Sequence, residues 1–170
     1  MDAQQPNLPA VGDIDSNKMG TGARYNGGKW RADLLPTQVS SWFMCRDEPA
    51  KAMQELGRFQ MTGDVEHLRS LMLALYSEDA IFVRMLSDAA AVLAYGAHKY
   101  KAWNWAKGMP WSVCVGCIVR HLHQMDLGKE TDHESGCSHR GHVACNVLFL
   151  MHYNLYYPQG NDLPCATIEV

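Results

Sequence analysis

The sequence predicts an all-α protein, most simply a helical bundle, and three observations carry that reading. From Asp47 to Tyr156 apolar residues recur mostly at intervals of three and four, the period of a helix with one buried face. Asp, Ser, Gly and Pro fall where those stripes start and stop. No run of four to eight residues alternates as a half-buried strand would. The chain has 170 residues, 47% hydrophobic and 19% charged, ordinary proportions for one globular domain.

Residues 1–23 read as a flexible N-terminal arm, rich in Pro, Gly, Asp, Asn and Ser and without an apolar period. In residues 24–36 (RYNGGKWRADLLP) the pair Gly27-Gly28 permits a tight turn or a close backbone approach to a ligand. Pro36 suits the opening of a helix through Phe43. Asp47 is a candidate N-cap with Pro49 in the first turn; Ala50, Met53, Leu56 and Phe59 form the stripe, and Thr62-Gly63 ends it. Asp64 is the candidate cap of the next helix, which carries Val65, Leu68, Leu71, Met72 and Leu75. Ser77 is the candidate cap of a third, striped by Ile81, Met85, Leu86, Ala89, Val92 and Leu93, with Gly96 at its end or at a bend. Residues 98–110 (HKYKAWNWAKGMP) read as a loop rich in aromatic and amide groups. A helix from Trp111, with Val115, Ile118, Leu122 and Met125 on one side, stops at Gly128. Residues 129–136 form a polar connection, and a last helix runs from Cys137 to Tyr156, ahead of Pro158. Residues 158–170 read as a C-terminal tail, which leaves 24–157 as a single all-α domain.

Charge and hydropathy exclude several classes. Lys and Arg total 15 against 18 Asp and Glu, a formal net charge of −3, so a nucleic-acid partner is not expected. No apolar run approaches the roughly 18–20 residues that span a bilayer, so no membrane partner is expected either. The N-terminal residues lack the basic and apolar stretches of a secretory signal, which makes the cytoplasm the expected compartment and leaves the six cysteines reduced. Cys114, Cys117 and Cys145 fall inside apolar helical patterns, where a thiol acts as a small hydrophobe.

Histidine is the unusual residue: of eight, six fall between His121 and His152. From Val143 to Met151 every residue except Asn146 is apolar, so protein surrounds this helix. His139, His142 and Asn146, spaced by three and four, share one of its faces. Buried imidazoles and amides must be paired, either as a satisfied network or as ligands. Arg120, His121 and Gln124 occupy one sector of the preceding helix, and Asp132 and Glu134 sit in the connection. Two carboxylates with nearby imidazoles can hold Mg²⁺ or Mn²⁺, His being better suited to Mn²⁺; the alternative is a solvated polar turn. Lys99, Tyr100, Trp103, Asn104 and Trp105 can grip a nucleobase by stacking and edge hydrogen bonds, or plug the core. The lone Cys114-x-x-Cys117 supports a structural zinc only with two further ligands, Cys137 and His139 being the nearest choice. Zinc-deaminase, His-Asp, phosphate-loop and G-x-S-x-G motifs are all absent.

Three blocks in order, RYNGGKWRADLLP, AAVLAYGAHKYKAWNWAKGMPW and RHLHQMDLGKETDHESGCSHRGHVACNVLFL, resemble the phage dATP/dGTP diphosphohydrolase (MazZ-type) family, related to the MazG-like all-α nucleoside triphosphate pyrophosphatases. The resemblance covers roughly residues 22–43 and 85–153, and residues 44–84 read as a helical insertion or a more variable region. It implies an oligomeric helical enzyme, a homodimer or homotetramer, in the host-cell cytoplasm. It also implies two or more divalent ions and cleavage of the α–β bond of a purine (d)NTP, dGTP first, with dATP or GTP behind it. The dGMP made would feed synthesis of 2-aminoadenine nucleotides.

The chain departs from the family pattern in two ways. No two acidic residues stand three apart, so the usual E-x-x-E is missing, and Lys129 follows Gly128 where relatives tend to carry Glu. The acidic set is therefore dispersed, or partly replaced by His139, His142 and Asn146. Glu55, Glu66, Glu78, Asp79 and Asp88 are reserve carboxylates, Asp88 the best placed because it opens a matched block. The expected metal ligands are Asp132, Glu134 and Asp88. The catalytic set is Glu134, Asp132, His121, His139 and His142. Lys29, Arg31, Lys99 and Arg120 are expected to meet the phosphates, and Trp30, Asn104, Trp105 and Asn146 the remaining substrate. A helical nucleotide-binding or regulatory module without catalysis is the alternative.

Overall fold

The computed structural model describes Gly22, residues 29–76 and residues 81–168. Most of the expected N-terminal arm, Gly27-Gly28, the Ser77 cap and the reserve carboxylates Glu78 and Asp79 lie outside the described residues. Seven α-helices run through the described chain: α1 (Thr37–Ser40), α2 (Asp47–Thr62), α3 (Glu66–Leu75), α4 (Leu86–Tyr100), α5 (Trp111–Asp126), α6 (His139–Tyr156) and α7 (Pro164–Thr167). Among the described residues there is no strand, only an isolated bridge between Thr131 and Ser138. The all-α expectation stands.

Helix α6 is the axis of the fold: α5, α4 and α3 all pack on it, while α2 packs on α3 and α5. The apolar run read from Val143 to Met151 explains this, since Val143, Ala144, Val147 and Leu150 are all fully buried. Trp111 of α5 stacks on Phe59 of α2, centroids 6.2 Å apart, and Leu56, Leu71, Ile118 and Leu122 fill the space between the helices. Helices α4 and α6 meet so closely that a Cβ on Gly141 would stand 2.8 Å from the Asp88 carbonyl oxygen, so only glycine fits there.

The helix ends show which local signals decide. Gly63 closes α2 in the left-handed region, φ 71°, as its sequence position predicts. Val65, not Asp64, is the N-cap of α3, but Asp64 Oδ1 accepts from Glu66 N at 2.9 Å and so answers the first amide of the helix. Asp47 does not cap α2; the helix starts at it, with Arg46 as N-cap. The carboxylate that anchors this start comes from the end of α5 instead: Asp126 Oδ1 accepts from Cys45 N and Arg46 N, both at 2.8 Å.

Three further expectations change. A π-helical turn, Ile81–Met85, leads into α4, and α4 runs through Gly96 to Tyr100. His98, Lys99 and Tyr100 are therefore helical, and Asn104–Lys107 form a 3-10 turn within the expected loop. A glycine inside a helix costs about 1 kcal/mol; on either side of it Tyr95 and Lys99 both bond Glu134. Helix α6 begins two residues later than the expected Cys137, with Ser138 as its N-cap. The C-terminal segment is docked: Leu163 is buried, and Asp162 accepts from Ser112 N at 2.8 Å and from Ser112 Oγ at 2.6 Å, capping α5. No helix among the described residues is long and apolar enough to cross a membrane.

Replacing Asp126 with Ala leaves the Cys45 and Arg46 amides without their acceptor. The expected loss is about 1 kcal/mol, within the range of other cap deletions. A lower urea midpoint with an unchanged denaturant slope is the expected signature; an unchanged midpoint refutes the anchoring role.

Candidate active site

Two helices and the turn between them build the site. The turn is tied back on itself, with Asp132 N donating to Cys137 O and Gly136 N to Asp132 O, both 2.8 Å, and His139 N to Glu130 O at 2.9 Å. Ser138 then starts α6, its Oγ accepting from Gly141 N at 3.0 Å. This closure carries Asp132 beneath the facing histidines of α5 and α6.

His121, Asp132 and His139 converge, each offering one ligand atom within 4.8 Å of the others. His121 Nδ1 and His139 Nδ1 are 2.8 Å apart, so one nitrogen donates and the other accepts. The His121 ring also stacks on His142, centroids 4.3 Å and planes 7° apart. Asp132 Oδ1 accepts from Ser135 N and Ser135 Oγ, both at 3.0 Å, and from Glu134 N at 3.2 Å. Ser135 Oγ lies 2.8 Å from His142 Nε2. With the serine proton committed to Asp132, His142 donates through Nε2, and a relay from His142 through Ser135 holds the carboxylate.

Burial is the largest cause holding the His139 imidazole below the usual histidine range, with His121 adding to it. Burial pushes the Asp132 carboxyl up, but the Ser135 bonds and the neighbouring His142 and His121 outweigh it, so Asp132 titrates below the usual range. The cluster therefore combines an ionised carboxylate with a neutral imidazole, the protonation states a metal requires.

The other expected residues divide into those beside the cluster and those apart from it. Glu134 is not in the converging group; it pairs with Lys99 and accepts from Tyr95 Oη at 3.2 Å, both on α4. The Lys99 bond holds Glu134 below the usual carboxylate range, and Lys29 contributes. Arg120 Nη1 donates to Trp30 O at 3.2 Å, and Trp30 meets His123 edge-on at 5.9 Å, which fastens the start of the described chain to α5. Asn146, 1% exposed, donates from Nδ2 to His142 O at 2.7 Å. Arg31 pairs instead with Asp33 at 2.6 Å and lines a separate groove with Asp162. Asp88 accepts from Tyr76 Oη at 2.9 Å, in a cavity with Arg84 and Arg140. The set Asp132, Glu134 and Asp88 is thus not assembled as one ligand group. Cys114, Cys117 and Cys145 are buried, and the ligand group includes no cysteine.

Between α4, the following loop and α6 lies a cavity of about 390 Å³, walled by Gly96, Tyr100, Trp103, Asn104, Trp105 and Phe149. It is continuous in the chain with the polar site: Tyr95 and Lys99, which hold Glu134, adjoin Gly96 and Tyr100 of its wall. Trp105 stacks on Phe149 at 4.9 Å, and its carbonyl accepts from Tyr153 Oη at 2.7 Å. Two residues of the loop have positive φ without being glycine, Lys101 at 82° and Trp103 at 61°. Such backbone is uncommon and clusters at ligand sites.

Ser135 and Tyr95 escaped the sequence reading. Asp132-x-x-Ser135 carries an Asx-turn signal that could have found the first. Tyr95, four residues before Lys99, shares its helix face, which is the signal for the second.

The family model described as dATP/dGTP diphosphohydrolase, N-terminal, matches residues 72–163, more than half of the chain, including the whole cluster and cavity. A protein of Salmonella phage PMBT28 named dATP/dGTP diphosphohydrolase is 30% identical over 67 residues, 39% of this chain and 23% of that relative. The matched stretch thus spans under a quarter of the relative's length. No solved structure matches.

The neutral, buried His139 makes stability depend on pH. Below the usual histidine value of about 6.5 the unfolded chain takes up a proton that the fold refuses, so stability falls with acidification. His139→Gln is expected to reduce the drop in urea midpoint between pH 7.5 and 5.5. An equal drop in both proteins removes His139 as its source.

Proposed function

The chain belongs to the dATP/dGTP diphosphohydrolase family, and from that premise we propose that it hydrolyses a purine nucleoside triphosphate at the α–β anhydride. The products are the monophosphate and pyrophosphate. The preferred substrate is dGTP, with dATP or GTP behind it, and the dGMP made would supply 2-aminoadenine nucleotide synthesis in a phage-infected cell. The observation that carries the reading is the convergence of His121, Asp132 and His139, with the Lys99-paired Glu134 in the same turn as Asp132 and an aromatic cavity walled by the helix that carries Lys99.

Two imidazole nitrogens and one carboxylate oxygen fit a divalent ion that accepts nitrogen, so Mn²⁺ suits this set better than Mg²⁺. A metal–nitrogen bond of roughly 2.1 Å puts two adjacent nitrogens about 3 Å apart, close to the 2.8 Å between His121 Nδ1 and His139 Nδ1. His121, His139 and Asp132 would hold the ion, with Asp132 fixed in place by Ser135. Bound there, a divalent ion neutralises phosphate charge and lowers the pKa of a coordinated water. A second ion would rely on Glu134 and incoming phosphate oxygens.

The remaining roles belong to the chain's own groups. His142 and Ser135 position Asp132. Glu134, kept ionised by Lys99, accepts the proton of the attacking water at its carboxylate. Lys29, Lys99 and Arg120 balance the triphosphate charge, and the base enters the cavity beside Asn104 and Trp105. Asn146 supports His142 through its carbonyl. The separate placement of Arg31 and Asp88 gives them no part in this reading. Exposed Leu34 and Phe43 support a homo-oligomer, a dimer or tetramer, in which they are covered.

The test is a product assay with the eight common NTPs and dNTPs, with Mn²⁺ or Mg²⁺. Monophosphate plus pyrophosphate is expected, fastest with a purine, lost with chelator and restored better by Mn²⁺. Nucleoside plus triphosphate overturns the bond assignment, and no product at all favours a nucleotide-binding module. Asp132→Asn and Glu134→Gln are each expected to lower turnover at least a hundredfold while the circular dichroism of the fold is kept. Normal turnover in either variant removes that residue from the machinery.

A further inference from the structure

We infer that Trp103 is the stacking face for the substrate's purine base and sets the preference for purine over pyrimidine, an inference that rests on the nucleotide reading above. Trp105 is the more obvious candidate from the sequence, but its ring is committed to the protein. It stacks on Phe149 at 4.9 Å and meets His152 edge-on at the same distance. Trp103 stands at the mouth of the same cavity, 73% exposed. Its centroid is 6.0 Å from that of Trp105, with the planes tilted by 44°.

An indole so exposed beside an apolar cavity is an unusual surface feature: among the described residues Trp103 stays 73% exposed. The backbone places it there at a conformational cost. Lys101 and Trp103 both have positive φ. The loop is pinned on either side, Lys101 N donating to Ala97 O at 3.0 Å and Ala106 N to Trp103 O at 3.0 Å. The fixed ends hold the residue in the cavity wall.

The occupant follows from the surroundings. The cavity walls are aromatic and aliphatic, with the amide of the buried Asn104 among them, which suits a flat heteroaromatic ring with polar edges. Lys99 and Lys29, both acting on Glu134, supply the cationic groups that the phosphates of the proposed substrate need. Phe149 of the cavity and His142 of the cluster are seven residues apart on α6, about 10 Å along a helix. That is a nucleotide's length scale between base and phosphates. A purine offers more ring area to an indole than a pyrimidine does, so stacking here discriminates between them.

The experiment measures binding of dGMP, dAMP and dCMP by calorimetry and by quenching of tryptophan emission, which needs no turnover. It uses the full chain, Trp103→Ala, Trp103→Phe and, as a control tryptophan, Trp42→Ala. Base–aromatic stacking typically changes affinity by about fivefold to a hundredfold when the ring is removed. Trp103→Ala is therefore expected to weaken both purine monophosphates about tenfold and dCMP much less, erasing the purine preference. Trp103→Phe is expected to remain within about threefold of the parent, and Trp42→Ala to match it. Unchanged purine affinity in Trp103→Ala, or equal losses for dGMP and dCMP, overturns the inference, as does a parent chain that binds no monophosphate. Binding that obeys this pattern in a chain that hydrolyses no triphosphate upholds Trp103 and overturns the hydrolase reading alone.

Discussion

The arrangement depends on one constraint: a helix surrounded by protein carries polar groups that must be paired. Helix α6 is covered by α3, α4 and α5, yet it bears His139, only 3% exposed, and Asn146. Unpaired, each would cost free energy comparable to a lost hydrogen bond or more. His121 across the α5–α6 seam answers His139, and the carbonyl of His142 answers Asn146. Two imidazole nitrogens pointing at each other satisfy the requirement only as one donor and one acceptor. That makes the pair a structural solution and a ready ligand set at once.

The turn between α5 and α6 completes the polar site because its own geometry is satisfied internally. Asp132 serves the turn through Oδ1 and the histidines through their shared approach. Glu134, two residues further, faces α4 and draws Lys99 and Tyr95 to it. One short segment thus joins the histidine pair to the helix that walls the aromatic cavity. The close passage of Gly141 past Asp88 fixes the same two helices against each other by backbone contact.

The sequence exposed those parts of this design that depend on periodicity. His139, His142 and Asn146 share a face because of their spacing, and α5 and α6 sit close to where the apolar stripes put them. The three sequence blocks also pointed to the family that the comparisons support. What periodicity does not encode is where a turn aims its side chains. Asp132 and Glu134 look equivalent in KETDHESG, and only the closure from Glu130 to His139 separates them. Helix α4 passes Gly96 because Tyr95 and Lys99 find a partner 35 or more residues away. Nor does local pattern reveal that Trp103 adopts positive φ and faces outward while Trp105 is packed inside. Nor does it show that Asp126, at the end of α5, anchors the start of α2.

The contact between Asp162 and Ser112 has a consequence for how the chain is made. A helix start leaves several amides without an intrahelical acceptor, and for α5 the carboxylate that answers Ser112 lies 50 positions downstream. On the ribosome, all of α5 and α6 is synthesised before that carboxylate is. The helix that carries His121 therefore spends its first seconds with a frayed end, at synthesis rates of about 5–20 residues per second. The histidine pair sits towards the other end of α5, so its seam with α6 does not depend on this late closure.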